Sequence, residues 1–278
     1  MIIVKAILQC ILLVVAAMLL TVGGCFLSAC VLMKKWPIDR YYKQRSESQN
    51  YSVLPDISSE LVNVVRIAED PRFYHHKGYD WTSIMWAINR NLELFHIVYG
   101  ASTITQQLIK NLYFSFKRNA LRKISELFLA VKAEKLLCKE QLIELYLNTV
   151  YFGNGCWGVS TASRFYFNKE PKQQTTNESV FLCALLPGPT GNNPLLYPEK
   201  FVIRRNRLLE TLLSHNALSE LEMNALKEAH PADNLDEELV RREIPPEGRV
   251  LPESNPLACR KLMRRQESFS CGLGAGDP

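Results

Sequence analysis

The longest stretch without a charged side chain runs from Ala6 to Met33, and it constrains the chain more than any other feature. About twenty consecutive apolar residues span a hydrocarbon core of roughly 30 Å, so this segment predicts a transmembrane helix or a secretory signal. The run is longer than the apolar stretch of a typical cleaved signal, which favours a retained anchor. Lipid attachment at Cys30, which ends the sequence LSAC, is a third interpretation of the same segment.

Length and charge limit what the rest of the chain can be. The 278 residues suffice for one packed domain with appendages. The formal net charge of +5 is too small and too dispersed to indicate nucleic-acid binding as the main function. We predict an anchor over residues 1–35, a linker over 36–54, one folded domain over 55–215 and a partly disordered extension over 216–278.

The eight cysteines do not indicate a metal site or a disulfide framework. The first three, Cys10, Cys25 and Cys30, lie in or beside the apolar segment, and the remaining five form no C-x-x-C pair. We expect most of them to be small buried apolar residues.

The folded part has the periodicity of helices. Apolar residues recur at helical spacing over 57–68, 81–94, 104–116, 121–137, 139–151, 159–167, 177–186 and 201–213. Strand signals are scarce, so the sequence predicts a mainly α fold. The run from Thr103 to Gln106 is typical of a capping box, which places a helix start there whose backbone N–H groups can receive an anion.

Charged residues are grouped on the helix predicted over 121–137. Arg122 and Glu126 are four residues apart and Lys123 and Glu126 three apart, so the three side chains share a face. Spacing alone favours a solvated ion-pair face worth a few tenths of a kcal/mol per pair. In the same way, Glu69 and Asp70 are compatible with a simple helix end, and Lys110 and Asn111 with a pair of surface residues.

Four longer segments change this balance. Glu69 to Gly78 reads EDPRFYHHKG, Gly100 to Asn111 reads GASTITQQLIKN, Arg122 to Glu126 reads RKISE, and Lys139 to Asn148 reads KEQLIELYLN. Their order and spacing resemble the four motifs of the peptidoglycan glycosyltransferase family. This family occurs as the N-terminal module of class A penicillin-binding proteins and as monofunctional enzymes. Four long motifs together are far more specific than any short pattern.

The resemblance implies a fold and a type of enzyme. It implies a lysozyme-like, mainly α globule with a small second lobe, a cleft between the two, and one N-terminal transmembrane helix in front. Ala101 stands where the family has a second glycine, which is harmless if φ is negative there. No S-x-x-K or K-T-G occurs, so we expect the monofunctional enzyme, without the transpeptidase module.

The implied reaction polymerises lipid II into linear β-1,4 glycan strands, with inversion at C1 and release of an isoprenoid diphosphate. A diphosphate is already an acidic leaving group, so it needs cations more than a strong general acid. Arg122, Lys123 and Lys110 would neutralise it. Glu69 would take the proton from the attacking 4-hydroxyl. Glu126 would either hold the cations in place or bind a divalent metal ion.

The remaining expectations also follow from the resemblance. Side chains expected to line the cleft and bind sugar or phosphate oxygens are Ser102, Thr103, Gln106, Gln107 and Asn111. No cofactor is required for certain, and a divalent cation (Mg or Mn) stays open. Expected partners are lipid II, the growing glycan strand, membrane lipid and cell-wall synthesis proteins, and no nucleic acid.

The expected location is the bacterial inner (plasma) membrane, as a single-pass protein with its catalytic domain on the extracytoplasmic side. A positive-inside count opposes this orientation, because only Lys5 precedes the apolar segment and five basic residues follow it: Lys34, Lys35, Arg40, Lys43 and Arg45. The motif set outweighs this statistical rule.

Other interpretations stay open at this stage. Rival functions are a lysozyme-like glycan-cleaving enzyme and a non-catalytic membrane protein that binds cell-wall precursor. Aromatic and apolar residues at Trp81, Trp86, Phe95 and 97–99 can form a lobe that dips into lipid, although helical periodicity favours burial in the core.

Two further patterns are set aside. Gly153, Gly155 and Gly158 have dinucleotide-binding spacing, but no βαβ unit surrounds them, so we expect a turn between helices. His75 and His76 lack remote ligands for a metal site, and a helix-capping or cleft-wall role is expected.

Overall fold

The computed structural model describes residues 2–35, 37–48, 50–96, 100–114, 120–186, 188–194 and 196–229. The α-helices in this part of the chain are α1 (Ile2–Lys35), α2 (Ile38–Ser46), α3 (Ser59–Glu69), α4 (Trp81–Glu93), α5 (Ile104–Tyr113), α6 (Ala120–Leu136), α7 (Lys139–Thr149), α8 (Val159–Phe167), α9 (Thr176–Leu185), α10 (Pro198–Ser214) and α11 (Glu220–Glu228). Short 3₁₀ helices cover Leu54–Asp56, Phe73–His75 and Pro171–Gln173. The prediction of a mainly α fold is confirmed.

Helix α1 has two parts with different surroundings. The large apolar side chains from Val4 to Leu20 are exposed, as expected for a segment whose partner is lipid. Further along, Cys25, Ala29 and Met33 are buried at a spacing of four residues, so one face of the helix packs on the domain. Within the described residues, one helix near the N-terminus is long and apolar enough to cross a membrane.

The contacts of this second part are with α6 and α5. The rings of Phe26 and Phe128 meet edge to face with centroids 5.1 Å apart. The thiol of Cys25 lies 3.7 Å from the carbonyl oxygen of Leu121. The apolar helix therefore continues without a break into the packing of the globular part.

The segment predicted as a linker contains helix α2. Its side chains Ile38 and Tyr41 are buried in the same core as the rest of the domain. The segment boundaries 1–35, 36–54, 55–215 and 216–278 stay a prediction, and residues 230–278 lie outside the described residues.

Glu144 of α7 holds the C-terminal part of the predicted linker, residues 36–54, against the domain. One carboxylate oxygen, Oε1, accepts hydrogen bonds from the hydroxyls of Tyr42 (3.0 Å) and Tyr51 (2.8 Å). The other, Oε2, accepts one from the backbone N–H of Leu54 at 2.6 Å. Burial, together with the Glu144 carboxylate, raises the pKa of Tyr42 to about 12. The hydroxyl is therefore protonated at neutral pH and can donate to Glu144.

Helices α7 and α9 form the centre of the core. Residues 142–148 of α7 and 178–185 of α9 are all buried, so both helices are covered on every side. Helices α3 and α10 pack on α9, and α5 packs against both α6 and α7. This arrangement brings the C-terminal end of α3 next to α5, where the first two motifs meet.

Helix α4 lies outside this core. Ala87 is its one buried residue among those described, whereas Trp81, Trp86 and Phe95 are exposed by 65%, 53% and 93%. The helical periodicity favoured burial of these aromatic residues in the core, and this prediction is therefore wrong. Residues 97–99 of the same predicted group lie outside the described residues.

Candidate active site

The start of α5 is held by a capping box, as the sequence predicts. Thr103 Oγ1 accepts from the backbone N–H of Gln106, and Gln106 Oε1 accepts from the backbone N–H of Thr103. The Thr103 hydroxyl also donates to the carbonyl of Gly78 at 2.8 Å, and Asp70 Oδ2 accepts from the N–H of Ile104 at 3.0 Å.

These contacts define the surroundings of the helix start. Thr103 and Gln106 are each 2% exposed. Asp70 and Thr103 accept hydrogen bonds from two N–H groups of the first turn, those of Ile104 and Gln106. The predicted contacts of Thr103 and Gln106 with sugar or phosphate oxygens, and of an anion with this helix start, stay predictions.

A buried polar network lies behind the start of α5. Asp70 is paired with His76 Nε2 at 2.9 Å, and Glu134 Oε1 accepts from Lys139 Nζ at 2.8 Å and from the Thr105 hydroxyl at 2.6 Å. His76 Nδ1 lies 3.8 Å from Glu134 Oε1, which joins the two halves. The network connects the first, second and fourth motifs, and it gives His76 a structural role in the cleft wall.

The backbone geometry at Gly78 explains why the first motif ends in a glycine. Its φ is +93°, and a Cβ placed there would lie 2.6 Å from the backbone nitrogen of Val131 on α6. Any side chain would push the loop off α6. By contrast, Ala101 is not among the described residues with positive φ, so its methyl group causes no backbone strain.

The glycines at 153–158 form the turn between α7 and α8, as predicted. Gly158 has a φ of +82°, and a Cβ there would lie 2.6 Å from the carbonyl oxygen of Asn148.

Glu69 ends α3 and faces α5. Its Oε2 accepts a hydrogen bond of 2.8 Å from Gln107 Nε2, and Gln107 Oε1 accepts one of 3.1 Å from the hydroxyl of Tyr146. Its Oε1 lies 3.7 Å from an Nη of Arg204 on α10. The Glu69 side chain is 11% exposed, so this carboxylate is mostly shielded from water.

Glu126 on α6 is enclosed by cations. Its side chain is 2% exposed, with Arg122 Nε 2.9 Å from Oε1 and Lys123 Nζ 3.3 Å from Oε2. The Arg122 contact has the distance of an ion pair without the alignment of a hydrogen bond. Lys123 also donates to the hydroxyl of Ser102 at 2.6 Å, which ties the loop before α5 to α6.

Lys110 connects the two carboxylates. Burial lowers the pKa of Lys110, and the negative charge of Glu126 acts against this. The positive charges of Lys123 and Arg122 lower the same pKa further, whereas Glu69 raises it. The charges of Glu69 and Glu126 both act on the ammonium group of Lys110, so the two carboxylates lie in the same region of the domain.

The predicted site residues fall into two groups. Those joined by hydrogen bonds, ion pairs or electrostatic interactions are Glu69, Glu126, Ser102, Gln107, Lys110, Arg122 and Lys123. Asn111 is partly buried and shares a face of α5 with Gln107. Thr103 and Gln106 belong to the helix cap. Gln107, predicted to bind substrate, contacts Glu69 itself.

Two residues of this site were missed. Tyr146 lies inside the fourth motif, so the motif match was a signal for it. Arg204 lies outside the four motifs, and nothing in the sequence distinguishes it from Arg205 and Arg207 on the same helix. Arg205 is 1% exposed and donates to Asn177 and to the backbone of α11, so its role is structural.

The surroundings of Glu126 do not fit a resident divalent cation. Hard cations bind where several oxygen ligands converge. Both oxygens of Glu126 instead face cations, and Lys110 adds a third positive charge. In the described part of the chain, no group of three or more His, Cys, Asp or Glu side chains has the geometry of a metal site.

Comparison with known proteins agrees with the motif pattern. Residues 35–213 match the family model described as Transglycosylase. Penicillin-binding protein 4 of Bacillus subtilis is 38% identical over 180 residues, which cover 64% of this chain and 29% of that protein. Penicillin-binding protein 1A of Escherichia coli is 40% identical over 167 residues, which cover 60% of this chain and 20% of that protein.

Penicillin-binding protein 1A of Aquifex aeolicus is 38% identical over 169 residues, which cover 61% of this chain and 23% of that protein. The chain thus spans between a fifth and a third of the length of these curated relatives. The family match over residues 35–213 covers all four motif segments.

Proposed function

This chain belongs to the transglycosylase family, and from that premise we propose that it polymerises lipid II into linear β-1,4 glycan strands of peptidoglycan. The reaction proceeds with inversion at C1 and releases the isoprenoid diphosphate. The observation that supports this proposal is the cluster of Arg122 and Lys123 around Glu126, with Lys110 under the influence of both Glu126 and Glu69. A proton acceptor near a cationic cluster is what a displacement of diphosphate by a sugar hydroxyl requires.

Glu69 acts as the general base. Its Oε2 is held by Gln107, so Oε1 is the oxygen that receives the proton of the acceptor 4-hydroxyl. As the O–H bond breaks, the hydroxyl oxygen forms a bond to C1 of the donor. The bond from C1 to the diphosphate oxygen breaks on the opposite face, and its electron pair leaves with the diphosphate.

The leaving diphosphate is stabilised by Arg122, Lys123 and Lys110. Arginine offers a forked contact and lysine a point charge, and a partly desolvated groove strengthens both. Of the two roles predicted for Glu126, the geometry favours holding the cations, because both of its oxygens face Arg122 or Lys123. A divalent cation enters no step of this mechanism.

Membrane attachment follows from α1, and the exposed face of α4 adds a second apolar contact. Both reactants carry isoprenoid chains that hold them in the bilayer, so a site near the bilayer surface can bind both. The exposure of Trp81, Trp86 and Phe95 supports a lobe that dips into lipid. We propose a single-pass protein of the bacterial inner membrane with its catalytic domain on the extracytoplasmic side, where the growing strand and cell-wall synthesis proteins are its partners.

The test is incubation of the purified full chain, in detergent, with labelled lipid II. Lengthening glycan product is expected. Glu69→Gln is expected to abolish polymerisation while binding of lipid II is largely kept, because the amide is nearly isosteric but accepts no proton. Shortening of mature glycan would support the hydrolase, and binding without any product would support a non-catalytic role. Near-normal polymerisation by Glu69→Gln would remove Glu69 from the role of base.

A further inference from the structure

We propose that Arg204 is a positioning residue for the base, whose guanidinium holds the Glu69 carboxylate so that Oε1 faces the acceptor hydroxyl. This inference rests on the proposed function and adds a residue from helix α10, outside the four motifs. Glu69 Oε1 and an Nη of Arg204 are 3.7 Å apart, with side chains exposed by 11% and 34%.

Two polar atoms near this contact are left without partners. Glu69 Oε1 and Arg204 Nε are both buried, and neither has a hydrogen-bond partner among the described residues. A buried acceptor and a buried donor without partners are costly unless something else pairs with them. A sugar hydroxyl fits this need, because it donates its proton to the carboxylate while its oxygen accepts from the guanidinium.

The other groups around Glu69 cannot replace this charge. Titratable side chains facing Glu69 come from four helices: Lys110 on α5, Tyr146 on α7, Cys183 on α9 and Arg204 on α10. Burial, with the charge of Glu69 added, raises the pKa values of Tyr146 and Cys183 well above their usual range, so both are neutral near pH 7.

Lys110 differs from Arg204 in two ways. Burial lowers the pKa of Lys110, and Lys110 interacts more strongly with Glu126 than with Glu69. A guanidinium stays charged over the whole working range of pH. Arg204 is therefore the permanently charged group that lies beside Oε1 of Glu69.

The experiment measures kcat and KM for lipid II polymerisation with three variants of the full chain. In Arg204→Gln, kcat is expected to fall about tenfold with little change in KM, because small displacements of a reacting group cost up to about two orders of magnitude in rate. Arg204→Lys keeps a cation beside Oε1 of Glu69 and is expected to recover most of the wild-type kcat.

Arg207→Gln is the matched control, because Arg207 is exposed on the same helix. It is expected to leave kcat and KM unchanged. An unchanged kcat in Arg204→Gln overturns the inference, whether or not the thermal midpoint falls. The same loss of kcat in Arg204→Lys or in Arg207→Gln overturns it too, because the local cation is then not the cause. Absence of polymer from the wild type would instead refute the proposed function.

Discussion

The side-chain amide of Gln107 donates a hydrogen bond of 2.8 Å to Oε2 of Glu69. The orientation of that amide is fixed in turn by the hydroxyl of Tyr146, which donates to Gln107 Oε1 at 3.1 Å. The carboxylate is therefore set by a chain of two hydrogen bonds that begins in the buried helix α7.

Gln107→Leu removes the contact that orients the carboxylate. We expect kcat for polymerisation to fall about 10- to 100-fold with little change in KM, because small displacements of a reacting group cost up to about two orders of magnitude in rate. Tyr146→Phe is expected to lower kcat by about fivefold, the effect of one hydrogen bond. Tyr166→Phe is the control, since its buried hydroxyl bonds to the carbonyl of Phe152, and it should change stability without changing kcat.

The alkaline limb of the rate profile is expected to report Lys110. Its pKa is lowered by burial, so its charge is lost at a lower pH than that of an ordinary lysine. Leaving-group stabilisation needs the charged form, and the rate should fall as pH rises through this lowered pKa. In Lys110→Arg the limb should move to higher pH, measured by initial rates between pH 6 and about 10. An alkaline limb that does not move would exclude Lys110 from this role.

Gly78→Ala tests the close approach of the first motif to α6. A methyl group would meet Val131 N at 2.6 Å and strain a φ of +93°. We expect a loss of about 3 kcal/mol in the free energy of unfolding. Gly155→Ala is the matched control, because its φ is +78° and nothing lies within 4 Å of the added carbon, so about 1 kcal/mol is expected. Equal losses in denaturant titrations would contradict the steric explanation.

Trp86 on α4 is expected to touch lipid. In a variant that keeps Trp86 and replaces the other three tryptophans by phenylalanine, brominated lipids in vesicles should quench the fluorescence strongly. A second variant keeps Trp157, which packs on Tyr151 at a ring distance of 4.7 Å, and should be quenched weakly. Equal quenching of the two would show that α4 makes no special contact with the bilayer.

Much of the fold could be predicted from the sequence, because the helices carry strong apolar periodicity. The helix predicted over 159–167 has the bounds of α8, and the capping box at Thr103 is confirmed. Helix α2 was missed because Ile38–Ser46 is mostly polar, and its burial depends on partners about a hundred residues away, such as Glu144. Local pattern contains no information about such partners.

The candidate site could be predicted as far as the motifs reach. The resemblance to the peptidoglycan glycosyltransferase family is confirmed by the family match over residues 35–213. The motifs could not show that Thr103 and Gln106 are buried in the cap of α5, and their contacts with substrate stay a prediction. Arg204 was missed because its position beside Glu69 is created by the packing of α10 on α9 and α3.

Helix α1 is 34 residues long, or about 50 Å, against a hydrocarbon core of roughly 30 Å. The C-terminal part of α1 packs on the domain through the contact of Phe26 with Phe128. Phe128 follows Glu126, the ion-pair partner of Arg122, by two residues on α6. Under the proposed membrane attachment, this contact fixes the height of the candidate site above the bilayer, and a tilt of α1 tilts the site with it.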